Sequence, residues 1–268
     1  MWTKSVWALV ASSVLLFGCG PEAPLRVGFI GGLSDRNSDN GQAGHNGVIL
    51  AVEQVNRAGG INGRKVELVS RDDAQNRETA ARSADELAAE KVEAVIGPFT
   101  SAMAAALVPV LAKTDTLVIS PTITSMDFFG KDDNLVRINR STRDNATDYA
   151  RVLFGRGQRR IAVAYDIRNR SFTESWLKEF RKAFSDVGGS LAAEVPYESR
   201  PDVDFSAVVG SMLQGRPDGL LYIAGGIDVA RLAQQSRRQA PKLPISASEW
   251  AATEQLIELG GKVVDGLV

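Results

Sequence analysis

The chain has 268 residues, with 31 basic and 32 acidic side chains, one histidine and a formal net charge of -1. So even a balance excludes a global field that would draw it to nucleic acid or an anionic surface. A single cysteine excludes a disulfide framework, and a single histidine leaves little material for imidazole catalysis or a zinc site.

In chain order, the first feature is an export signal. Lys4 gives a positive start, and Val6 to Phe17 form an apolar run without charge that is too short to cross a bilayer comfortably. The run ends at LFGC, with Leu16 three residues before Cys19 and small Gly18 directly before it, the arrangement of bacterial lipoprotein signals; Phe17 is the atypical letter. The expectation is a signal peptide over 1–18 and a lipid thioether on Cys19, followed by a short linker over 19–24. The alternative is a buried free thiol. Removal of the signal leaves enough chain for two modest cores.

From Leu25 onward, short apolar runs alternate with longer stretches of helical period, as in βαβ units on a mostly parallel sheet. The pattern predicts strands at Arg26 to Ile30, Lys65 to Val69, Ala94 to Ile96 and Leu117 to Ser120. Helices are predicted through Val48, Ile49, Val52 and Val55, over Arg77 to Glu90, and from Ser101. The alternation resumes with strands at Arg160 to Ala164, Leu191 to Pro196 and Gly219 to Ile223, and helices around Ser175 to Val187 and Phe205 to Leu213. The expected fold class is therefore α/β, a two-lobe chain in which each lobe is a mostly parallel sheet flanked by helices. The first lobe spans 25–122, the second 146–247, and a crossover or hinge region rich in Thr, Ser, Asp and Asn spans 123–145. The cluster RGQRR at 156 to 160 reads as a solvated loop.

The inventory disfavours enzyme chemistry. His45 stands alone in a helix-start context, no GxSxG, GxGxxG or GxxxxGK[ST] pattern occurs, and Asp72-Asp73 reads as a turn or cap. Two hydroxyl-bearing segments remain at the carboxyl ends of apolar strands, where open α/β sheets place their ligands. They are IGPFTSA, with Thr100 and Ser101, and VISPTITS, with Ser120, Thr122 and Thr124. Hydroxyls and free N–H groups at a helix start form a neutral cradle for a carboxylate, although either segment alone also fits an ordinary N-cap or turn.

In order along the chain, VGFIGGLS (27–34), LAVEQVNRAGGINGRKVELVSRDD (50–73), VIGPFTS (95–101), VISPTITS (118–125), RRIAVAYD (159–166) and VVDGLV (263–268) resemble the leucine/isoleucine/valine-binding protein family, the periplasmic solute receptors of branched-chain amino acid importers. The resemblance implies two α/β lobes closing on a ligand in the cleft between them. It implies that Ser101 and Thr124 hold the ligand carboxylate by their hydroxyls, and Thr122 by its backbone N–H. Glu249, in SASEW, matches the acid that receives the ligand ammonium; the alternative is a surface acid capping the helix that follows.

The cleft walls depart from the family pattern. Asn40 and Ile227 stand where tyrosines are common, Phe172 keeps an aromatic at a third such place, and Trp250 follows Glu249 where a small residue is usual. Trp250 is expected to supply the missing wall; packing under the last helix is the alternative. The resemblance further implies residues 248–268 returning toward the first lobe, with the last part of the family fold missing after Val268. Taken with the LFGC signal and Cys19, it implies an ABC transporter substrate-binding lipoprotein without a cofactor, a monomer at the periplasm or cell surface, tethered to the membrane by lipid only. Its partners would be a small-molecule amino acid or analogue and the permease and ATPase subunits, with no nucleic acid. A ligand sensor on the same fold is the alternative function.

Overall fold

The computed structural model describes residues 22–35 and 38–268; the predicted signal peptide 1–18 and Cys19 lie outside the described residues. Strands and helices alternate along the first half as β1 (Leu25–Gly31), α1 (Asp39–Arg57), β2 (Val66–Asp72), α2 (Arg77–Ala89), β3 (Ala94–Ile96), α3 (Ser101–Leu111), β4 (Leu117–Ser120) and β5 (Leu135–Arg137). These strands form one sheet in the order β2-β1-β3-β4-β5, and every pairing is parallel. The second half runs α4 (Thr142–Gly155), β6 (Arg160–Asp166), α5 (Arg170–Asp186), β7 (Ser190–Tyr197), α6 (Phe205–Gln214), β8 (Gly219–Ile223), α7 (Gly226–Gln239), β9 (Ile245–Ala247) and α8 (Glu254–Gly260). Its sheet has the order β7-β6-β8-β9, again all parallel.

Parallel strands are covered on both faces, so they read as continuous apolar runs. Strand β8, GLLYI, is buried at every residue. One face of the second sheet packs against α4 and α5, where Trp176, Phe180 and Phe184 fall at four-residue spacing and stack with ring centroids 5.3 and 5.2 Å apart. The other face packs against α6 and α7 through Val209, Met212, Val229 and Leu232. In the first lobe, α2 and α3 cover one face through Leu87, Leu107 and Leu111. Helix α2 is capped as its sequence suggests, with the Asn76 side chain accepting from the amides of Glu78 and Thr79.

Helices α4 and α7 and strand β9 are not expected from the sequence, and the architecture differs from the expectation in two further places. The stretch 123–145 is not only a connection, because β5 within it joins the first sheet as its edge. Its three residues are too few to show a period. Residues 248–268 pack on the second lobe instead of returning to the first. Ala251 and Leu256 join the core on α7, and Val268 is hydrogen-bonded to β9 through Ile245 and Ala247. Apolar burial on the nearer sheet holds this segment, and its residues 252–255 face α1 only across an open depression of about 570 Å³.

Candidate ligand cleft

A cavity of about 100 Å³ lies where strand carboxyl ends of both sheets meet. Phe99, Thr100 and Ser101 reach it from the end of β3, Thr122 and Thr124 from the end of β4, and Asn40 from the first turn of α1. Asn139 follows β5, Asn169 and Phe172 follow β6, and Glu249 and Trp250 follow β9. Two glycines permit this convergence. Gly97 has φ +121°, and a Cβ there would stand 1.9 Å from the Ile30 carbonyl oxygen, so the β3–α3 turn requires glycine. A Cβ at Gly44 would stand 2.1 Å from the Phe99 ring, so its absence lets α1 lie over that ring.

The first-lobe wall is a set of neutral donors. Ser101 opens α3, is 2% exposed, and its hydroxyl makes no hydrogen bond among the described residues. Ser120 donates to the Pro98 carbonyl at 2.7 Å, and Thr122 donates to the Phe99 carbonyl at 2.9 Å, locking the two strand-end segments together. The Thr122 amide has only a long 3.4 Å contact to the Ser120 hydroxyl. The Thr124 hydroxyl accepts from Thr142 at 3.0 Å and keeps its own proton to give.

The second-lobe wall carries the charge. Glu249 is half-buried in the turn after β9; its Oε1 accepts from Asn145 Nδ2 at 2.7 Å and its Oε2 from Trp176 Nε1 at 3.0 Å. Both donors are neutral, and no cation pairs with Glu249 among the described residues. The carboxylate is thus oriented but not neutralised. Burial, and secondarily the Glu249 charge, pushes the nearby Tyr149 hydroxyl up to about 12. Phe172 and Trp250 meet edge to face at 5.8 Å and form an aromatic corner of the cavity. Asn40, Ser101, Thr122, Thr124, Phe172, Glu249 and Trp250 therefore all line one space. Ile227 does not; it lies half-buried in the first turn of α7, away from the lining.

The lobes also touch directly around this space. Arg168 pairs with Asp35 at 3.1 Å, Asn169 Oδ1 accepts from the Ala102 amide at 3.1 Å, and Ser125 donates to the Ser171 carbonyl at 2.7 Å. A wider depression of about 780 Å³ lies elsewhere between α3 and α5, rimmed by Arg77, Lys131, Arg170, Glu174, Lys178 and Glu179. Its rim charges are of both signs and it lacks the convergent buried donors of the cleft. Sequence reasoning passed over Asn139, Asn145, Asn169 and Trp176. Only Asn169 carried a signal, as a polar residue just past an apolar strand. His45 is no part of the cleft and bonds Ser70 at 2.8 Å between α1 and β2.

Asp166, at the end of β6, is 1% exposed and holds its loop by accepting from the amides of Arg168 and Ser199 at 3.0 and 2.9 Å. Burial pushes its carboxyl up to about 6, against the backbone hydrogen bonds, which pull it down. The folded state thus holds this proton more tightly than the unfolded chain. Its stabilisation is complete below about pH 4 and is lost as pH rises through about 6. Asp166→Asn keeps an oxygen for both amides and removes the titration. The unfolding free energy of the variant minus that of the wild type should grow between pH 4 and about 6.5, by up to about 3 kcal/mol; a flat difference would contradict this.

A sequence model described as periplasmic binding protein matches residues 24–268. The Leu/Ile/Val-binding protein BraC3 of Rhizobium johnstonii is 25% identical over 270 residues, covering 100% of this chain and 72% of that protein. Leu/Ile/Val-binding protein homolog 3 of Brucella melitensis is 28% identical over 228 residues, covering 83% of this chain and 60% of that one. Among solved structures, a branched-chain amino acid transporter substrate binding protein of Streptococcus pneumoniae, in complex with isoleucine, aligns with a TM-score of 0.81 at 23% identity, covering 89% of this chain and 68% of the other. At that identity the likeness is one of fold, the type I arrangement of two parallel sheets flanked by helices.

Proposed function

Because the chain belongs to the periplasmic binding protein family, we propose that it is the solute-binding component of an ABC importer and that it captures a zwitterionic amino acid between its lobes. The observation that carries this reading is the unneutralised Glu249 carboxylate across a cavity from the Ser101, Thr122 and Thr124 donors. An α-amino acid presents the complementary pair of charges. Its carboxylate would take the Ser101 and Thr124 hydroxyls and the Thr122 amide, and its ammonium would take Glu249. Each charge then meets its partner on a different lobe, so ligand favours the closed arrangement by differential contact.

Relatives that bear the names of Leu/Ile/Val-binding proteins, and a fold neighbour bound to isoleucine, support an amino acid as the ligand class. Delivery would be to permease and ATPase subunits from the periplasm or the cell surface. The test is thermal unfolding of residues 20–268 against a panel of amino acids. A ligand at 100 times its dissociation constant adds about 2.7 kcal/mol, a rise of several degrees. A panel in which no amino acid moves the transition would refute the proposal.

The same reading includes an anchor. A signal ending in LFGC motivates lipidation of Cys19. The native protein is expected to partition into the detergent phase and Cys19→Ala into the aqueous phase; equal aqueous partitioning of both would exclude the anchor.

A further inference from the structure

Gripping an amino acid by its two backbone charges leaves several polar groups of the cavity unused, and we propose that these select a compact amino acid with a hydroxyl or carboxamide side chain over a branched aliphatic one. The inference rests on the amino-acid reading above. It starts from Asn169, which is 5% exposed and lines the cavity from the second lobe. Its carboxamide orientation is fixed, because the Ala102 N–H can be accepted only by the amide oxygen, at 3.1 Å. Asn169 Nδ2 is therefore left as a donor, and it meets no acceptor among the described residues.

Asn40 makes no side-chain hydrogen bond among the described residues, and Asn139 uses only its oxygen, accepting from the Arg140 amide at 2.8 Å. Three carboxamides thus border one small space whose apolar walls are Phe99, Phe172 and Trp250. An aliphatic side chain would cut the buried Asn169 amide off from water and offer nothing to any of the three, Asn40 being half-buried and Asn139 exposed. A hydroxyl or carboxamide would satisfy them. Sites that hydrogen-bond a ligand hydroxyl discriminate strongly against ligands without one, because the abandoned groups stay unpaired.

Volume points the same way. The cavity of about 100 Å³ is small beside the roughly 300–1,000 Å³ of common ligand sites, which favours a compact ligand.

The experiment is calorimetric titration of the whole chain with L-serine, L-threonine and L-asparagine against L-alanine, L-valine and L-leucine. At least one of the first three should bind roughly 30-fold or more tighter than valine and leucine. Valine or leucine binding as tightly as all of the first three would overturn the selectivity while leaving amino-acid capture standing. Binding of none of the six, together with an unresponsive panel in thermal unfolding, would remove both. In Asn169→Ala the serine-to-alanine affinity ratio should fall about tenfold, and Asn40→Ala gives the same readout should the first variant fold poorly. An unchanged ratio in a folded variant would overturn the role of these amides.

Discussion

Glu249→Gln should weaken amino-acid binding more than tenfold and lower stability at the same time. The affinity loss follows from replacing a charge-assisted hydrogen bond to the ligand ammonium by a neutral one. The stability loss follows from the geometry of the carboxylate, whose two oxygens each accept one N–H, from Asn145 at 2.7 Å and from Trp176 at 3.0 Å. A glutamine has one oxygen, so its NH2 must face one of these donors, and the stranded partner costs about 1–3 kcal/mol. Calorimetry and denaturant unfolding read the two effects separately. Unchanged affinity with reduced stability would make Glu249 a structural acid only.

Trp176→Ala should cost about 3–5 kcal/mol, the range for removing a large aromatic from a close-packed core. Trp176 is fully buried, stacks on Phe180 at 5.3 Å and meets Tyr149 edge to face at 5.3 Å. The cavity left by alanine would be walled by rings that cannot collapse into it. Trp176→Phe is the informative companion, since it keeps much of the packing but loses the N–H to Glu249 Oε2. That variant should lose less stability than Trp176→Ala and still bind ligand more weakly, because the carboxylate keeps only Asn145 to orient it. A Trp176→Ala loss below about 1 kcal/mol would contradict the packing account.

The sequence made most strands of both lobes legible because buried parallel strands are continuous apolar runs, and β8 is the plainest case. It hid the edge strands β5 and β9, three-residue runs with no period, and α4, whose TRDNATDYARVLFG begins with polar residues resembling a loop. The segment after Glu249 was misplaced because its apolar residues do not say which lobe they cover; Ala251 and Leu256 cover the second. In the cleft, strand-end position and motif resemblance indicated Ser101, Thr122, Thr124 and Glu249, and the structure gathers them around one cavity. Asn145 and Trp176 could not be read, because their partner lies 104 and 73 residues away in the chain. Ile227 followed from correspondence alone, and α7 starts in a position that turns it from the space.

The grip on both backbone charges is tested most directly by calorimetric titration of the wild-type chain with one bound amino acid, its α-carboxamide and its N-acetyl derivative. The carboxamide removes the charge facing Ser101 and Thr124, and acetylation removes the charge facing Glu249. Each derivative should bind at least about tenfold more weakly than the free amino acid, in line with the loss of a charge-assisted bond. Equal binding of either derivative would show that the corresponding wall of the cleft does not hold a ligand charge.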